Sequence, residues 1–238
     1  ANASYGMENG KKEGCLSQHL TEITMKFPKR KVEEVCTRVC ESDEALLEDL
    51  RPHPNMKVLK LNGYYGERMP NWARDDNLAI FIPNLVDISL RNCRKLKHLA
   101  VLGKLPKLKS LKITGWFRDD SEYIENTTMS GSCSGARAFG SEDSFFPSLE
   151  KLKLWNLPKL KGWWSGDNNS DQEDGRLLPA FPCLSHLAII GCPNLVSMPL
   201  CPAVEYVKIW DCNVHLRIMK SIEPGNSKLR RATTGNMA

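Results

Sequence analysis

The sequence lacks any apolar run approaching ~18 residues, so no segment of it reads as a membrane-spanning helix. It has no G-x-x-x-x-G-K-[ST] and no G-x-G-x-x-G, hence no recognisable phosphate cradle. It has neither G-x-S-x-G nor H-E-x-x-H, so two common hydrolase signatures are missing as well. The first 30 residues carry Glu8, Glu13 and Glu22 without an apolar stretch, and no signal peptide is expected there. Charge of one sign is not dominant. Lys plus Arg is 33 and Asp plus Glu is 28, a net +5 that falls short of a dedicated nucleic-acid binder. With 16 Gly and 14 Pro the chain is no fibrous protein, and 41% hydrophobic residues exclude wholesale disorder. Nine Cys at irregular spacing argue against a disulfide-knit secreted module, and a reducing compartment is expected.

What is present is a repeat. The phrase Pro-x-apolar-x-x-apolar-x-apolar occurs as Pro54-Met56-Leu59-Leu61, Pro83-Leu85-Ile88-Leu90 and Pro106-Leu108-Leu111-Ile113. It returns as Pro147-Leu149-Leu152-Leu154, Pro182-Leu184-Leu187-Ile189 and Pro202-Val204-Val207-Ile209. Three copies place Cys93, Cys192 and Cys212 three residues after the last apolar position. This is the leucine-rich-repeat signature, and it predicts an α/β solenoid. The expected form is a horseshoe with a curved parallel β-sheet on its concave face and an irregular, short-helical convex side. In apolar-x-apolar the two apolar side chains point to one face of a short strand. The earlier Leu and the later Cys turn inward where the chain bends, and a buried thiol there has a carbonyl within reach. One repeat cannot bury its own face, so neighbours stack. Each inward Leu or Ile contributes about 1.5–3 kcal/mol on burial, most of it offset by backbone entropy.

The spacing divides the chain. Residues 42–213 are expected to hold about six repeats, with polar insertions at 119–146 and 165–176 read as loops emerging laterally or on the convex side. These loops carry balances of −5 and −3, which leaves +13 on the remainder: a basic scaffold hung with acidic loops. Residues 42–50 predict a short helix capped by Ser42, with Asp43 and Glu44 in its first turn. Residues 1–41 form a poorly defined N-terminal segment, with a degenerate repeat expected around Leu16 to Phe27. Residues 214–238 are expected to be a tail, frayed from Asn226 onward.

If the register holds, outward residues align in columns. The middle column is Lys60, Ser89, Lys112, Lys153, Ala188 and Lys208. The column after it is Asn62, Arg91, Thr114, Trp155, Ile190 and Trp210, and the one before it Val58, Asp87, Ser110, Lys151, His186 and Tyr206. A lysine ladder beside exposed indoles reads as a protein-binding face; the alternative is that the lysines only keep the sheet soluble. The candidate binding residues are Lys60, Arg91, Lys112, Lys151, Lys153, Trp155, His186, Tyr206, Lys208 and Trp210. Cys183, His186, Cys192 and Cys201 have loose metal-ligand spacing, but His186 is expected to face outward and Cys192 inward, away from one tetrahedron. Cys36 and Cys40 at i, i+4 read as two buried thiols, His53 as a loop residue, and Trp163-Trp164 as packing on the convex side. Sequons at Asn2, Asn126 and Asn168 matter only in a secretory protein. No catalytic constellation and no metal site emerge.

The wording of the repeats resembles a known family. Asp43-Glu44-Ala45-Leu46-Leu47-Glu48-Asp49-Leu50-Arg51-Pro52-His53-Pro54-Asn55-Met56-Lys57 is similar to a stock phrase of plant disease-resistance proteins of the coiled-coil, nucleotide-binding, leucine-rich-repeat (NLR) class. The similarity continues through Gly63-Tyr64, Met69-Pro70-Asn71-Trp72, Pro83-Asn84-Leu85-Val86 and Arg91-Asn92-Cys93. It extends over 102–111, 146–152, Leu160-Lys161-Gly162-Trp163 and Phe181-Pro182-Cys183-Leu184, covering roughly residues 43–212. The resemblance implies a non-enzymatic, intracellular role in plant immunity. The partners it implies are a pathogen effector or guarded host protein, and the receptor's own nucleotide-binding domain, restrained at rest; nucleic acid is not among them. ATP or ADP would belong to that domain, and no cofactor is expected in these residues. The chain opens on Ala1 rather than Met and reads as a fragment of such a receptor. Two alternatives are the substrate-recognition half of an F-box ubiquitin ligase and a cell-surface repeat receptor. The first needs an F-box upstream; the second needs a signal peptide, capping cysteines and a regular ~24-residue repeat.

Overall fold

A computed structural model describes residues 2–5, 20–30, 37–50, 52–74, 77–96, 102–115, 123–125, 146–164, 181–195, 198, 200–212 and 228–235. Eleven strands occur among them. They are β1 (Asn2–Tyr5), β2 (Glu22–Lys26), β3 (Val58–Asn62), β4 (Asp87–Arg91), β5 (Ser110–Thr114) and β6 (Tyr123–Glu125). The others are β7 (Lys151–Trp155), β8 (Gly162–Trp164), β9 (His186–Ile190), β10 (Tyr206–Trp210) and β11 (Arg231–Gly235). Nine of them form one open sheet in chain order, β1-β2-β3-β4-β5-β7-β9-β10-β11, and every pairing is parallel. A parallel, sequential and unclosed sheet is the leucine-rich-repeat solenoid.

The repeated proline has a local cause. In each of the six phrases Pro occupies the second position of a β-turn, where its fixed φ is already correct. The turns are closed by the fourth residue's N–H donating to the first residue's carbonyl, from Met56 to His53 at 2.9 Å through Leu108 to Leu105 at 3.5 Å. The chain then enters the strand. Two successive N–H groups at the strand entrance share one carbonyl of the preceding repeat, as Val86 and Asp87 do with Lys57 at 2.7 and 3.0 Å. The strand leaves through a left-handed residue: Gly63, Asn92, Gly115, Asn156, Gly191 and Asp211 all have φ between 54° and 78°. Each of these donates its N–H to the strand end of the next repeat at 2.7–2.9 Å. Gly, Asn and Asp recur there because they tolerate that conformation.

The inward columns of the sheet form the core. Ile23, Leu59, Ile88, Leu111, Leu152, Leu187 and Val207 lie in one register line, and Met25, Leu61, Leu90, Ile113, Leu154, Ile189 and Ile209 in the other. All fourteen are buried. Behind them pack the leading apolar residues Met56, Leu85, Leu108, Leu149, Leu184 and Val204. Cys93, Cys192 and Cys212 are buried where the repeat places them. Their thiols donate to the carbonyls of Arg91 (3.6 Å), Ile190 (3.6 Å) and Trp210 (3.3 Å). The side opposite the sheet holds short helical pieces at Asn71–Ala73, Asn77–Phe81 and Leu102–Lys104.

Several expectations are corrected. The sheet extends beyond residues 42–213 at both ends, through β2, which lies in the degenerate repeat expected around Leu16 to Phe27, and through β11. The tail expected to be frayed contains β11, although its inward positions Ala232 and Thr234 are exposed. The insertion 119–146 contributes β6, which pairs in parallel with β8 to make a second small sheet. Trp163 and Trp164 thus sit on a strand, but their side chains lie outside what is described, as do Cys36, the 165–176 insertion and the sequon positions Asn126 and Asn168. The helix α1 runs Thr37–Glu48, so Ser42 is inside it and caps nothing. Asp43 and Glu44 do not attend a helix N-terminus; they reach across to the loop after β3.

Candidate functional site: the outward face of the sheet

In β3, β4, β5, β7, β9 and β10 the odd positions of each strand point away from the core. The three outward columns align across hydrogen-bonded neighbours as the repeat spacing predicts. Lys60 faces Ser89, Ser89 faces Lys112, Lys112 faces Lys153, Lys153 faces Ala188 and Ala188 faces Lys208. Arg91, Thr114, Trp155, Ile190 and Trp210 form the column nearer the strand ends. Asp87, Ser110, Lys151, His186 and Tyr206 form the column nearer the entrances. All ten candidate residues therefore share one face.

They are not equivalent. Lys60 is neutralised: its Nζ lies 2.8 Å from Glu22 Oε1 on β2, and Thr24 Oγ1 donates to the same oxygen at 3.2 Å. This hydrogen bond holds the Glu22 carboxyl below, and the Lys60 ammonium above, their ordinary values. Glu22 and Thr24 escaped sequence reasoning because β2 has no leading Pro. Their signal is Leu20-x-x-Ile23-x-Met25, the repeat phrase stripped of its turn.

The middle of the face is different. Burial first, then Lys153 and Arg91, push the Lys112 ammonium down, with Asp87 opposing. Lys153 Nζ stands 4.7 Å above the Trp155 ring, a cation–π contact. Trp155 remains 46% exposed. Toward β10, the His186 and Tyr206 rings stack with centroids 4.7 Å apart and planes 23° apart. Ser185 Oγ is 2.9 Å from His186 Nδ1, which fixes the imidazole in place. Lys208 is exposed. Trp210, expected as a free indole, is half-buried instead. A Cβ on Gly235 of β11 would meet its Cζ3 at 2.4 Å, so the ring lies flat over that glycine.

The arrangement offers cations, planar rings and a rigid backbone, which is the equipment of a protein-binding surface. The hydroxyl–imidazole contact on it, Ser185 with His186, has its hydroxyl also donating to the Glu150 carbonyl at 3.1 Å. Among the described residues no group of three His, Cys, Asp or Glu side chains converges as metal ligands. His186 is on the outward face, Cys192 and Cys201 are buried, and Cys183 is exposed on a turn. Among the described residues no helix is long and apolar enough to cross a membrane.

Comparison with known proteins agrees with the fold. The family model for R13L1/DRL21 leucine-rich repeats matches residues 7–116. The chain is 33% identical over 161 residues to disease resistance protein RGA2 of Solanum bulbocastanum, covering 66% of this chain and 14% of that protein. It is 32% identical over 168 residues to the relative named RGA1 from the same species, covering 70% of this chain and 14% of that protein. To the disease resistance RPP13-like protein 1 of Arabidopsis thaliana it is 29% identical over 176 residues, 73% of this chain and 15% of that one. The chain thus spans about one-seventh of the length of these relatives. No solved structure matches it. Through its repeats, the chain belongs to the leucine-rich-repeat family of plant disease resistance proteins.

Proposed function

We propose that the chain is the ligand-sensing region of an intracellular, cytoplasmic plant immune receptor, and that its outward sheet face recognises a pathogen effector or a guarded host protein. The same face contacts the receptor's own nucleotide-binding domain and restrains that switch at rest. In this reading ATP or ADP is handled by the nucleotide-binding domain, and these residues act by binding rather than by catalysis. The observation that carries it is the alignment of Lys112, Lys153, Lys208, Trp155 and Tyr206 on one face of a continuous sheet. A sheet built only for stability has no use for a like-charge ladder beside an exposed indole. The similarity to named disease resistance proteins supports the immune setting.

The test is the coding frame upstream of Ala1. A P-loop followed by a nucleotide-binding domain is expected. An F-box in that position would make the chain a ubiquitin-ligase substrate receptor, and a signal peptide would make it a cell-surface receptor; either overturns the proposal.

A further inference from the structure

Several cations among the described residues differ in what surrounds them. Some are paired with the chain's own acids. Lys60 pairs with Glu22 at 2.8 Å, Lys109 with Glu150 at 2.8 Å, and Arg230 with Glu205 at 3.3 Å. Three on the outward face are not. Lys112 of β5 and Lys153 of β7 are direct register partners on adjacent strands, and Arg91 of β4 is one strand over and two positions on from Lys112. No ion pair to any of the three occurs among the described residues, and Asp87 is the acid that acts on Lys112. Like charges directly opposite on neighbouring strands are destabilising. Three cations on adjacent strands, without an ion-pair partner among the described residues, set up a field that an acidic partner would answer.

The geometry narrows what that is. Strand spacing of ~4.8 Å and a rise of ~3.3 Å per residue put the three backbone positions about 5–12 Å apart. A single phosphate asks for donors converging on one point, commonly helped by free backbone N–H groups. Here the strand N–H groups are spent in the parallel ladder. Side chains two apart on an extended partner are about 6.6 Å from one another, which suits two cations on this sheet. Trp155, half-exposed beside Lys153, supplies an apolar shelf next to the charges. Resting on the reading of this face as a protein-binding surface, we infer that Lys112, Lys153 and Arg91 seat an acidic segment of the protein partner. That segment carries two carboxylates, with an apolar side chain laid on Trp155.

The chain itself is titrated by calorimetry with a short synthetic peptide of alternating Glu and Leu, and with its Gln/Leu counterpart. The Glu peptide binds, weakens as salt rises, and loses about tenfold or more in affinity on K112Q or K153Q; the Gln peptide binds far more weakly. K112E places a carboxylate opposite Lys153. It abolishes peptide binding while raising the melting temperature by about 1–3 °C, because an attractive pair replaces a repulsive one. If K112E does not fold, the K112Q and K153Q titrations decide alone. Equal binding of the two peptides, unchanged affinity in both Gln variants, or displacement by equimolar inorganic phosphate would overturn the inference. Failure here, with W155A and K208A still abolishing recognition by the full-length receptor, removes the acidic-segment inference and leaves the binding face standing.

Discussion

The Asp43 carboxylate joins two segments that the sequence separates by 22 residues: it accepts the backbone N–H of Tyr65 at 3.1 Å. From the other side Arg30 grips the same group, at 3.1 and 3.3 Å. Its neighbours on α1 repeat the device. Glu44 accepts the N–H groups of Glu67 and Arg68, Glu48 accepts that of Asn71, and Trp72 Nε1 donates to the Leu47 carbonyl. Acids at positions 43, 44 and 48 of a helix thus hold residues 65–72 of a loop that has no regular structure of its own before Asn71. Two stretches of family-like wording, Asp43-to-Leu50 and Met69-to-Trp72, are therefore two halves of one contact.

Removing this lock has a predictable cost. Asp43 is 3% exposed, so D43A leaves the Tyr65 N–H without its acceptor and takes the carboxylate from Arg30, whose side chain keeps partial access to solvent. The expected loss is about 1–3 kcal/mol by urea unfolding. D43N keeps an acceptor for Tyr65 and is expected to lose less. Equal stability of D43A and the parent chain would show that the contact does not hold the loop.

The left-handed ladder makes a second prediction. Gly115 has φ 68°, and a Cβ there would meet Asn92 Oδ1 at 2.4 Å. G115A combines backbone strain with a clash and is expected to destabilise by about 1–2 kcal/mol or more. N92G relieves the strain of Asn92 at φ 54° and is expected to be near neutral, whereas N92V is destabilising by an amount similar to G115A. Thermal melts of the three variants check the order.

The inward cysteines predict behaviour with pH. Burial pushes the thiols of Cys93, Cys192 and Cys201 up from 9.0 to about 12. The folded state therefore holds these protons more tightly than the unfolded one. Their contribution is intact below pH 9 and is lost as pH rises toward 12. Denaturant midpoints should fall over that window and the fall should shrink in C192A relative to its own neutral-pH value. Among the described cysteines, iodoacetamide at neutral pH should label Cys183, which is exposed, and spare the buried ones.

The parts of the fold legible in the sequence are those where one residue type does two things. Pro sets the turn and so announces each of the strands β3, β4, β5, β7, β9 and β10. Where the turn is made otherwise, the strand shows only as a degenerate repeat, as β2 does between Leu16 and Phe27, or not at all. Leu20-Ile23-Met25 has the inward pattern but no Pro, and after Leu229, which packs on the core, β11 offers only Ala232 and Thr234, both exposed. Ser42 misled because a good cap residue is also tolerated within a helix whose position is fixed by Leu47 and Asp43 packing inward. The outward columns were legible because the register is set by period-two alternation. Which cations would be quenched was not, because Glu22 and Lys60 are 38 residues apart and meet only across strands.

The most direct measurement sets two variants of the full-length receptor side by side. One carries K112A, K153A, W155A and K208A on the outward face; the other carries K104A, K107A and K159A, away from the outward columns. Both are scored for folding, for silence at rest and for the immune response to the matching pathogen. The outward-face variant is expected to fold, to lose recognition and to signal without a trigger, while the control variant behaves as the parent. A folded outward-face variant that keeps both recognition and restraint would contradict the assignment of this face as the binding surface.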